Sequence, residues 1–555
     1  MPKAVELLQQ GRSEELWQMC CGYLKLSMEQ FMTIQKRLLL EQIKLLNGCT
    51  LGRKLMHGAT PETVEEFREQ VPLTTYDDYC PALSDKREAP LPADPAFWVH
   101  TSGRSGDHPC KWIPMTRAFA DEMSRIMYGA GLISSCRDWG DTSRINSRPK
   151  IVYTVAPRPY MSGTMADMLG MQSPIHYLPS LKEAEELAFE DRIKLGFSQA
   201  LSEGIDFFFG LSMVLVVVGN KFSESSNKVD IRPLLGRPRA LLRLAKGMTR
   251  SRLARRSMLP KDIWSVKGIL SSGLDSSVYR DKIKELWGKY PLDLYTGTEC
   301  GVIATQTWDY DGMTFVPSLN FLEFIPEQEH FKWRLDPEYQ PKTVLLDEVE
   351  AGENYEIVIS NFHGGALVRY RPGDMVRITS LRNESLDIDI PQMAFERRAD
   401  DLLDFVFVRL TEKTIWQAIE NTGIAYEDWT AFKKDGQPVL SLYLELKNGY
   451  QGGEAEIAAA VREQILRSDS QYKDTEALYR DEFATMIDFK VEVNTLSPGA
   501  FAHFTEQRRA EGADLAHLKP PHINPSQRVL NMLTEKPEEA VRASSETTPE
   551  PAAVR

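Results

Sequence analysis

Two stretches near the start of the chain carry the hydrophobic spacing of helices. From Tyr23 to Leu46, apolar residues recur every three or four positions, which is the period of one helix face. A second helix is predicted to begin at Thr60, because Pro61 suits the first helical position and Glu62 follows it in the first turn. The first 70 residues are therefore expected to form a helical extension.

Beyond this extension, short apolar runs alternate with helical patterns. The pattern predicts strands at Lys150 to Val155 and at Met213 to Val218, with a helix at Leu181 to Ile193 between them. The most apolar segment, Phe207 to Gly219, is rich in valine and too short to span a bilayer, so we expect a buried central strand there. The alternation predicts an α/β fold, with helices on the faces of a sheet.

The pattern changes to hairpins between Ser318 and Thr379, where apolar and polar residues alternate around a turn at Glu350 to Asn354. A smaller α+β unit is expected from about Asp401, and few large apolar residues remain after Leu533. We therefore predict a large domain over residues 1–400, a small domain over residues 401–530 and a disordered tail over residues 531–555.

The charge of the chain bears on its partners. The 555 residues have a formal net charge of −13, which argues against a general binder of nucleic acid or of anionic membranes. Positive charge gathers between Arg237 and Lys261, either as a contact for nucleic acid or anionic lipid or as a solvated helix face. The lack of interleaved aromatic residues favours the solvated face, so we expect no nucleic acid and no membrane as a partner. The oligomeric state is not indicated.

Cysteine and histidine patterns speak against two kinds of site. The seven cysteines include no CxxC pair, so neither a disulfide framework nor a zinc ribbon is indicated. The nine histidines include no HExxH motif, so we expect at most Mg²⁺ that arrives with a nucleotide. The N-terminus has no long apolar core and does not resemble a secretory signal, so the expected location is cytoplasmic.

The segment from Thr101 to Thr116, TSGRSGDHPCKWIPMT, has the composition of a loop that wraps a polyphosphate. Two glycines let the backbone approach an anion, and hydroxyl groups and a lysine can bind phosphate oxygens. The spacing fits neither the Walker loop nor the dinucleotide-binding motif, and an exposed loop is an equal alternative. The candidate phosphate-binding residues are Thr101, Ser102, Gly103, Ser105, Gly106 and Lys111.

Two further motifs could complete a nucleotide site. YTGTEC offers the ring of Tyr295 for a purine, the hydroxyl of Thr298 for a phosphate and the carboxylate of Glu299 for Mg²⁺. YRPGD presents Asp374, whose carboxylate could accept both ribose hydroxyls. Taken alone, each motif is also compatible with an ordinary turn between strands.

Together and in this order, TSGRSG, YTGTE and YRPGD resemble the acyl-adenylate-forming superfamily. VPLTTYDDYCP before the glycine-containing loop, IPMT after it and the GAF and AEGADLAHLKPP stretches near the end are similar to the Gretchen-Hagen family. Members of that family are the auxin-responsive acyl-acid amido synthetases of plants and their bacterial relatives. The resemblance runs from about Val71 to about Asn524.

The resemblance implies a fold and a role for each motif residue. The fold is a large α/β adenylate-forming domain of mixed sheets, helices and a β-rich subdomain, followed by a small α+β lid. The implied cofactors are ATP and Mg²⁺. The glycine-containing loop would hold the β- and γ-phosphates, Tyr295 would lie near adenine, and Asp374 would bind the ribose. Thr298 would contact the α-phosphate, and Glu299 would bind Mg²⁺. Arg397 or Arg398 would lie near the ribose before the hinge, and Lys519 of the lid would reach the α-phosphate and the acid oxygen.

The implied activity is that of an ATP-dependent ligase that adenylates a small carboxylic acid and passes the acyl group to an amine, an amino acid in the leading hypothesis. A thioester-forming CoA ligase and a non-catalytic binding protein are the alternatives. Met161 to Tyr177 and Phe207 to Val218 could line the acid pocket, although core packing is the commoner reason for such apolar runs. Arg104 inside the loop and His522 in the lid depart from the family pattern.

Overall fold

The computed structural model describes residues 2–101, 110–210, 212–225, 236–271, 276–336, 338–399, 403–405, 409–434, 437, 439–447, 452–468, 489–510 and 520–534. The chain divides into two compact units, and their main boundary falls between Glu396 and Arg397. Each unit is described by itself below.

The first unit begins with helices α1 to α5, whose starts are set by caps. These are α1 Ala4–Gln9, α2 Ser13–Cys21, α3 Met28–Gly48, α4 Thr50–Leu55 and α5 Val64–Gln70. Helix α3 starts later than predicted because Ser27 accepts a hydrogen bond from the Gln30 amide and forms a capping box with it. The start predicted at Thr60 is wrong for the same kind of reason: Thr63 caps α5 through the Glu66 amide.

A mixed sheet of eleven strands forms the centre of the described part of this unit. In chain order its strands are β3 Lys150–Tyr153, β4 His176–Leu178, β5 Phe207–Gly210, β6 Gly268–Ser271, β7 Leu292–Gly297, β8 Gly301–Thr305, β9 Met313–Phe315, β10 Asn320–Pro326, β11 Asn354–Asn361, β12 Asp374–Ser380 and β13 Gln392–Arg398. The order across the sheet is β10-β11-β12-β13-β9-β8-β7-β6-β5-β3-β4. Strands β1 Pro95–His100 and β2 Trp112–Thr116 form a separate hairpin.

The sheet has a parallel half and an antiparallel half. Strands β4, β3, β5, β6 and β7 run parallel, and the direction reverses in the β7–β8 hairpin. Both faces of the parallel half are covered, since Phe207 and Phe209 belong to one hydrophobic cluster and Phe208 to another. The predicted α/β fold is confirmed.

Helices cover these faces, and at two places the secondary structure differs from the prediction. They are α6 Arg117–Ser135, α7 Met161–Gln172, α8 Leu181–Glu186, α9 Phe189–Glu203, α10 Ser212–Ser225, α11 Pro238–Leu253, α12 Pro260–Ile263, α13 Ser276–Trp287 and α14 Glu327–Leu335. The strand predicted at Met213 to Val218 lies in α10, because β5 takes only four residues and a continuous apolar run also suits a buried helix. The helix predicted at Leu181 to Ile193 breaks between α8 and α9, where buried Arg192 donates to the Ala184 carbonyl.

Only part of the hairpin region forms strands. Strands β10 and β11 pair antiparallel as predicted, with Gly352 at positive φ in the turn before β11. Between them the chain forms α14 and a short 3-10 turn at Leu346–Glu348, and Val344 makes an isolated bridge to Phe324. The prediction of a strand from Thr343 to Glu348 is therefore wrong.

The basic stretch is largely helix α11, and part of its charge is used inside the protein. Arg243 donates to the carbonyls of Ala200 and Glu203 at the end of α9. Arg256 pairs with Asp262 through two hydrogen bonds. Across the described residues, no helix combines the length and apolar character needed to cross a membrane.

The second unit is an α+β fold. Its elements are β14 Leu403–Asp404, β15 Arg409–Leu410, α15 Glu412–Asn421, β16 Tyr426–Lys433, β17 Val439–Leu446, α16 Glu454–Ser468, β18 Lys490–Thr495, α17 Ala500–Ala510 and α18 Gln527–Thr534. Strand β17 pairs antiparallel with β16 and parallel with β18, around a core that includes fully buried Trp429. Residues 531–534 of the predicted tail belong to α18, and residues 535–555 lie outside the described residues.

Candidate active site

The hairpin of β1 and β2 holds both ends of the glycine-containing loop. The Thr101 amide donates to the Lys111 carbonyl at 3.1 Å, and the Lys111 amide donates to the Thr101 hydroxyl at 3.0 Å. Thr101 and Lys111 therefore face each other at the base of the loop. The predicted phosphate residues Ser102, Gly103, Ser105 and Gly106, and the departure at Arg104, lie outside the described residues.

The YTGTEC motif forms the tight turn between β7 and β8, where the sheet reverses direction. Gly297 pairs with Gly301, and Gly301 adopts the positive φ of +66° that such a short turn needs. The Asn361 side chain donates to the Glu299 carbonyl at 3.0 Å. Thr298 and Glu299 are thus presented, half-buried, on a backbone that is anchored to the sheet.

The segment before β12 is locked by two buried ion pairs. Arg369 donates to both carboxylate oxygens of Glu323, at 2.7 and 3.0 Å. Arg371 does the same to Glu356, at 2.9 and 2.7 Å, and His330 also contacts this carboxylate at 2.7 Å. These pairs bracket Tyr370, so its position is determined from both sides.

The electrostatics of Glu356 show how complete this pairing is. Burial of the carboxylate acts to raise its pKa, but the hydrogen bonds from His330 and Arg371 outweigh burial and hold the pKa below its usual value. Glu356 therefore stays ionised inside the protein. The Glu356 carboxylate holds the backbone next to the candidate site in place, because Arg371 and His330 already bind it.

Three segments that are distant in sequence meet at Lys111. Its Nζ lies 3.3 Å from the Tyr370 hydroxyl and 4.0 Å from Glu299 Oε1. The Tyr370 hydroxyl in turn lies 3.5 Å from the same Glu299 oxygen. The side chains of Lys111 and Glu299 keep 19% and 13% exposure, so both are partly accessible to solvent.

Tyr295 and Asp374, predicted at the base and the ribose of a nucleotide, are brought together by the structure. The Tyr295 hydroxyl donates to Asp374 Oδ2 at 2.6 Å. The ring of Tyr295 is buried and lies 5.9 Å from that of Phe395. Tyr295 thus orients the Asp374 carboxylate through its hydroxyl, while contact with adenine stays a prediction.

Sequence reasoning missed two aromatic residues at this site. Tyr370 stands in the YRPGD motif, where Asp374 alone was singled out, and the other aromatic residue is His100. The His100 ring lies 4.7 Å from Trp112 and 4.4 Å from Tyr160, with Nδ1 2.8 Å from the Thr101 carbonyl. Its position directly before the hydroxyl-rich loop was the available signal.

The remaining predicted residues belong to the chain beyond Glu396. Arg397 and Arg398 end strand β13, and Arg397 is buried and donates to the carbonyls of Arg398 and Ala399, both at 3.3 Å. Lys519 lies outside the described residues. Their roles stay predictions.

A cleft of about 860 Å³ runs along α7 and β4, and its walls include Asp167, Met171, His176 and Glu203. The expected acid-pocket segment Met161 to Tyr177 contributes to it. No residue predicted to bind nucleotide is among its lining residues, so the cleft gives the acid pocket no support.

The fold matches those of solved adenylate-forming enzymes. The acyl acid amido synthetase GH3.15 in complex with 2,4-DB superposes with a TM-score of 0.61 at 17% identity, covering 90% of this chain and 93% of that one. A 2-hydroxyisobutyryl-CoA ligase in the postadenylation state gives 0.54 at 13% identity, covering 94% and 93%. The fold of this chain is therefore the fold of the adenylate-forming enzymes.

Sequence comparison gives the family. Residues 21–144 match the GH3 family N-terminal domain and residues 313–398 match the GH3 family central domain, so these two segments are similar to the GH3 family. The predicted Gretchen-Hagen resemblance is confirmed.

Two named relatives show how far this similarity extends. The jasmonoyl-L-amino acid synthetase JAR4 of Nicotiana attenuata is 39% identical over 105 residues, which is 19% of this chain and 16% of that protein. The indole-3-acetic acid-amido synthetase GH3.15 of Arabidopsis thaliana is 24% identical over 231 residues, 40% of this chain and 37% of that protein. The chain thus spans well under half the length of these two relatives.

Proposed function

We propose that this protein is an ATP-dependent ligase that adenylates a small carboxylic acid and transfers the acyl group to the amine of an amino acid. The observation that carries the proposal is the meeting of Lys111, Tyr370 and Glu299 beside the Tyr295–Asp374 pair. Three sequence segments supply a cation, a metal-binding carboxylate and a hydroxyl-binding carboxylate in one place. The names of the relatives, which are amido synthetases, support the same chemistry.

The reaction has two steps in which little covalent work falls to the protein. The carboxylate of the acid attacks the α-phosphorus of ATP, and pyrophosphate leaves. The amine then attacks the acyl carbon of the acyl-adenylate, loses a proton, and AMP leaves as the amide forms. Positioning and charge stabilisation therefore account for most of the catalysis.

The candidate site residues of the first unit would position the nucleotide. Lys111 supplies a positive charge for the phosphates and Thr101 a hydroxyl group. Ser102, Gly103, Ser105 and Gly106 stay further predicted phosphate ligands. Asp374 binds the ribose, since a carboxylate can accept from Tyr295 and from ribose hydroxyls at once.

The residues of the candidate site fit a magnesium ion held jointly with the nucleotide. Among the described residues, no cluster of three or more metal-binding side chains occurs, which suits Mg²⁺ because this ion commonly uses one or two carboxylates and substrate phosphates. Glu299 would hold it, and Thr298 would lie at the α-phosphate. When bound, Mg²⁺ neutralises phosphate charge.

The roles beyond Glu396 complete the proposal. Arg397 or Arg398 lies near the ribose, and Lys519 of the second unit reaches the α-phosphate and the acid oxygen during adenylation. Lys519→Ala should lower acid-dependent ATP–pyrophosphate exchange by about 10²- to 10³-fold with little change in ATP affinity. Equal exchange in the variant would remove Lys519 from the mechanism.

Product analysis tests the second step. The protein is incubated with ATP, Mg²⁺ and a panel of carboxylic acids, with either a mixture of amino acids or CoA, and products are identified by mass spectrometry. We expect amides in the first arm. A thioester in the CoA arm without any amide would replace the proposal with a CoA ligase, and the absence of both products and of exchange would favour a binding protein.

A further inference from the structure

The VPLTTYDDYCP stretch, residues 71–81, lies in the first unit and has no part in the proposed function. Its middle forms a 3-10 turn at Tyr76–Tyr79, and Thr75 caps the turn by donating its amide to Asp78 Oδ2 at 2.7 Å. The side chains of Tyr76 and Tyr79 are buried. The turn therefore places two tyrosine rings in the interior of the unit.

Thr74 and Tyr79 hold the segment that carries Tyr370. The Thr74 amide donates to the Arg369 carbonyl, and the Arg371 amide donates to the Thr74 carbonyl, both at 2.9 Å. The ring of Tyr79 meets that of Tyr370 edge-on at 6.0 Å. Tyr370 thus stands between two residues whose main chains are bonded to the VPLTTYDDYCP stretch.

Tyr76 holds the backbone next to Lys111. The Trp112 amide donates to the Tyr76 hydroxyl at 2.7 Å, and this hydroxyl donates to the Trp112 carbonyl at 3.2 Å. The main chain of Lys111 itself is bonded to Thr101 through the two hydrogen bonds at the base of the loop. The backbone that carries Lys111 is therefore fixed by Thr101 and by Tyr76.

The same tyrosines flank the ammonium group of Lys111. Its Nζ lies 5.8 Å from the centre of the Tyr76 ring and 6.0 Å from that of the Tyr370 ring, within the range in which a ring attracts a cation. It also donates to the Tyr370 hydroxyl at 3.3 Å. A lysine side chain has many rotamers in solvent, so these contacts order the ammonium before a ligand arrives.

We propose that Tyr76 is a positioning residue for ATP binding: it fixes the backbone that carries Lys111 and flanks the ammonium with its ring, so that the ammonium is held where the phosphates bind. The inference rests on the proposed function, in which Lys111 supplies a charge for those phosphates. It assigns Tyr76 no contact with substrate.

Binding measurements in the presence of Mg²⁺ and without an acid give the first test. Lys111→Ala should raise the Kd of ATP about 10- to 100-fold, the effect of losing one hydrogen bond to a charged group. Tyr76→Phe keeps the ring and removes the hydroxyl, so Lys111 loosens and the Kd of ATP should rise about 5- to 10-fold. The Kd of AMP, which lacks the β- and γ-phosphates, should stay within about twofold in both variants. Isothermal titration calorimetry measures both constants.

A double-mutant cycle distinguishes positioning of Lys111 from a general weakening of the fold. If Tyr76 acts through Lys111, adding Tyr76→Phe to Lys111→Ala should change the Kd of ATP by less than about twofold further. A weakened fold would instead lower the affinity for ATP equally in both backgrounds. Equal effects of Tyr76→Phe in the two backgrounds would overturn the inference.

Tyr355→Phe is the matched control for the loss of a tyrosine hydroxyl. The Tyr355 hydroxyl also accepts a hydrogen bond from a main-chain amide, that of Glu350 at 3.0 Å, and its side chain is buried. The Kd values of ATP and AMP should both match wild type in this variant.

A second variant keeps the positive charge and leaves Tyr76 in place. Lys111→Arg puts a larger, planar group between the rings of Tyr76 and Tyr370, so the Kd of ATP should rise about as far as in Lys111→Ala. This variant decides the question if Tyr76→Phe does not fold. A Kd of ATP within about twofold of wild type would show that charge without a fitted position is enough, and it would overturn the inference.

The outcomes separate the inference from the proposed function. If wild type shows no acid-dependent ATP–pyrophosphate exchange, the proposed function fails and the inference with it. If wild type shows exchange and Lys111→Ala weakens ATP binding, while folded Tyr76→Phe binds ATP as wild type does, the inference is overturned and the function stands. Unchanged ATP binding in Lys111→Ala, with exchange by wild type, would also overturn the inference alone.

Discussion

The first unit contains two kinds of ion pair that differ in burial and fit. The pairs Arg369–Glu323 and Arg371–Glu356 are bidentate, and their side chains are 7% exposed or less. The Lys111–Glu299 pair is 4.0 Å apart, and its side chains keep 19% and 13% exposure. The first kind is part of the packed interior, while the second keeps partial contact with solvent, as the proposed binding of a ligand requires.

The largest expected effect comes from breaking a saturated pair. Arg369→Met should lower the free energy of unfolding of the first unit by about 3–5 kcal/mol, because it leaves the buried Glu323 carboxylate with only the Thr343 hydroxyl and Arg68, whose Nε is 3.8 Å away. Urea denaturation monitored by fluorescence measures the change, with exposed Arg377→Met on β12 as the control. A decrease in the free energy of unfolding below about 1 kcal/mol would show that the Arg369–Glu323 pair contributes no more than an exposed ion pair.

Breaking the open pair should affect activity and spare stability. Glu299→Gln should lower acid-dependent exchange by about 10²- to 10³-fold and raise the Mg²⁺ concentration needed, since one preorganised charge is lost. The melting temperature should stay close to wild type. The control is Glu285→Gln, whose side chain is 57% exposed. An unchanged magnesium titration would remove Glu299 as the metal ligand.

A smaller effect is expected where a neutral group orients a charged one. Tyr295→Phe removes the hydroxyl that donates to Asp374, and a hydrogen bond to a charged group contributes about 1.5–3 kcal/mol. We expect kcat/KM for ATP to fall about 10- to 100-fold. Tyr339→Phe removes a comparable bond to Glu329, at 2.7 Å, outside the candidate site and should leave the kinetics unaltered. Equal kinetics in both variants would deny Tyr295 a part in ATP binding.

The smallest effect concerns pH. The folded-state pKa of Glu356 is lowered, so its pairing contributes stability above the unfolded-state pKa and this contribution is lost as pH falls through the folded-state pKa. The free energy of unfolding of wild type should therefore decline in acid more steeply than that of Glu356→Gln. Parallel curves between pH 7 and pH 3 would show that Glu356 does not titrate with unfolding.

Much of the site could be predicted because its residues lie in short motifs next to strand ends. Glu299 and Asp374 were named from local patterns and their roles stay predictions, while the alternation of elements predicted the α/β sheet. The contact of Lys111 with Glu299 could not be predicted, because these residues are 188 positions apart in the sequence and only the tertiary fold brings them together. Tyr370 was missed for the same reason, because its hydroxyl gains a role only beside these two side chains.

The errors in secondary structure have local causes. The valine-rich run after β5 has no periodicity that separates a buried strand from a buried helix, and Met213 to Val218 forms helix. Helix α5 could be capped by Thr60 or by Thr63, and the hydrogen bond from the Glu66 amide shows that Thr63 is the cap. Such competition between neighbouring caps depends on geometry that the order of residues does not state.

Adenylation is best tested by acid-dependent ATP–pyrophosphate exchange, measured with the wild-type protein, Mg²⁺ and a broad panel of small carboxylic acids. We expect exchange with at least one acid and none when the acid or Mg²⁺ is omitted. Exchange that is independent of the acid, or its absence across the whole panel, would contradict adenylation at the Lys111–Glu299 site.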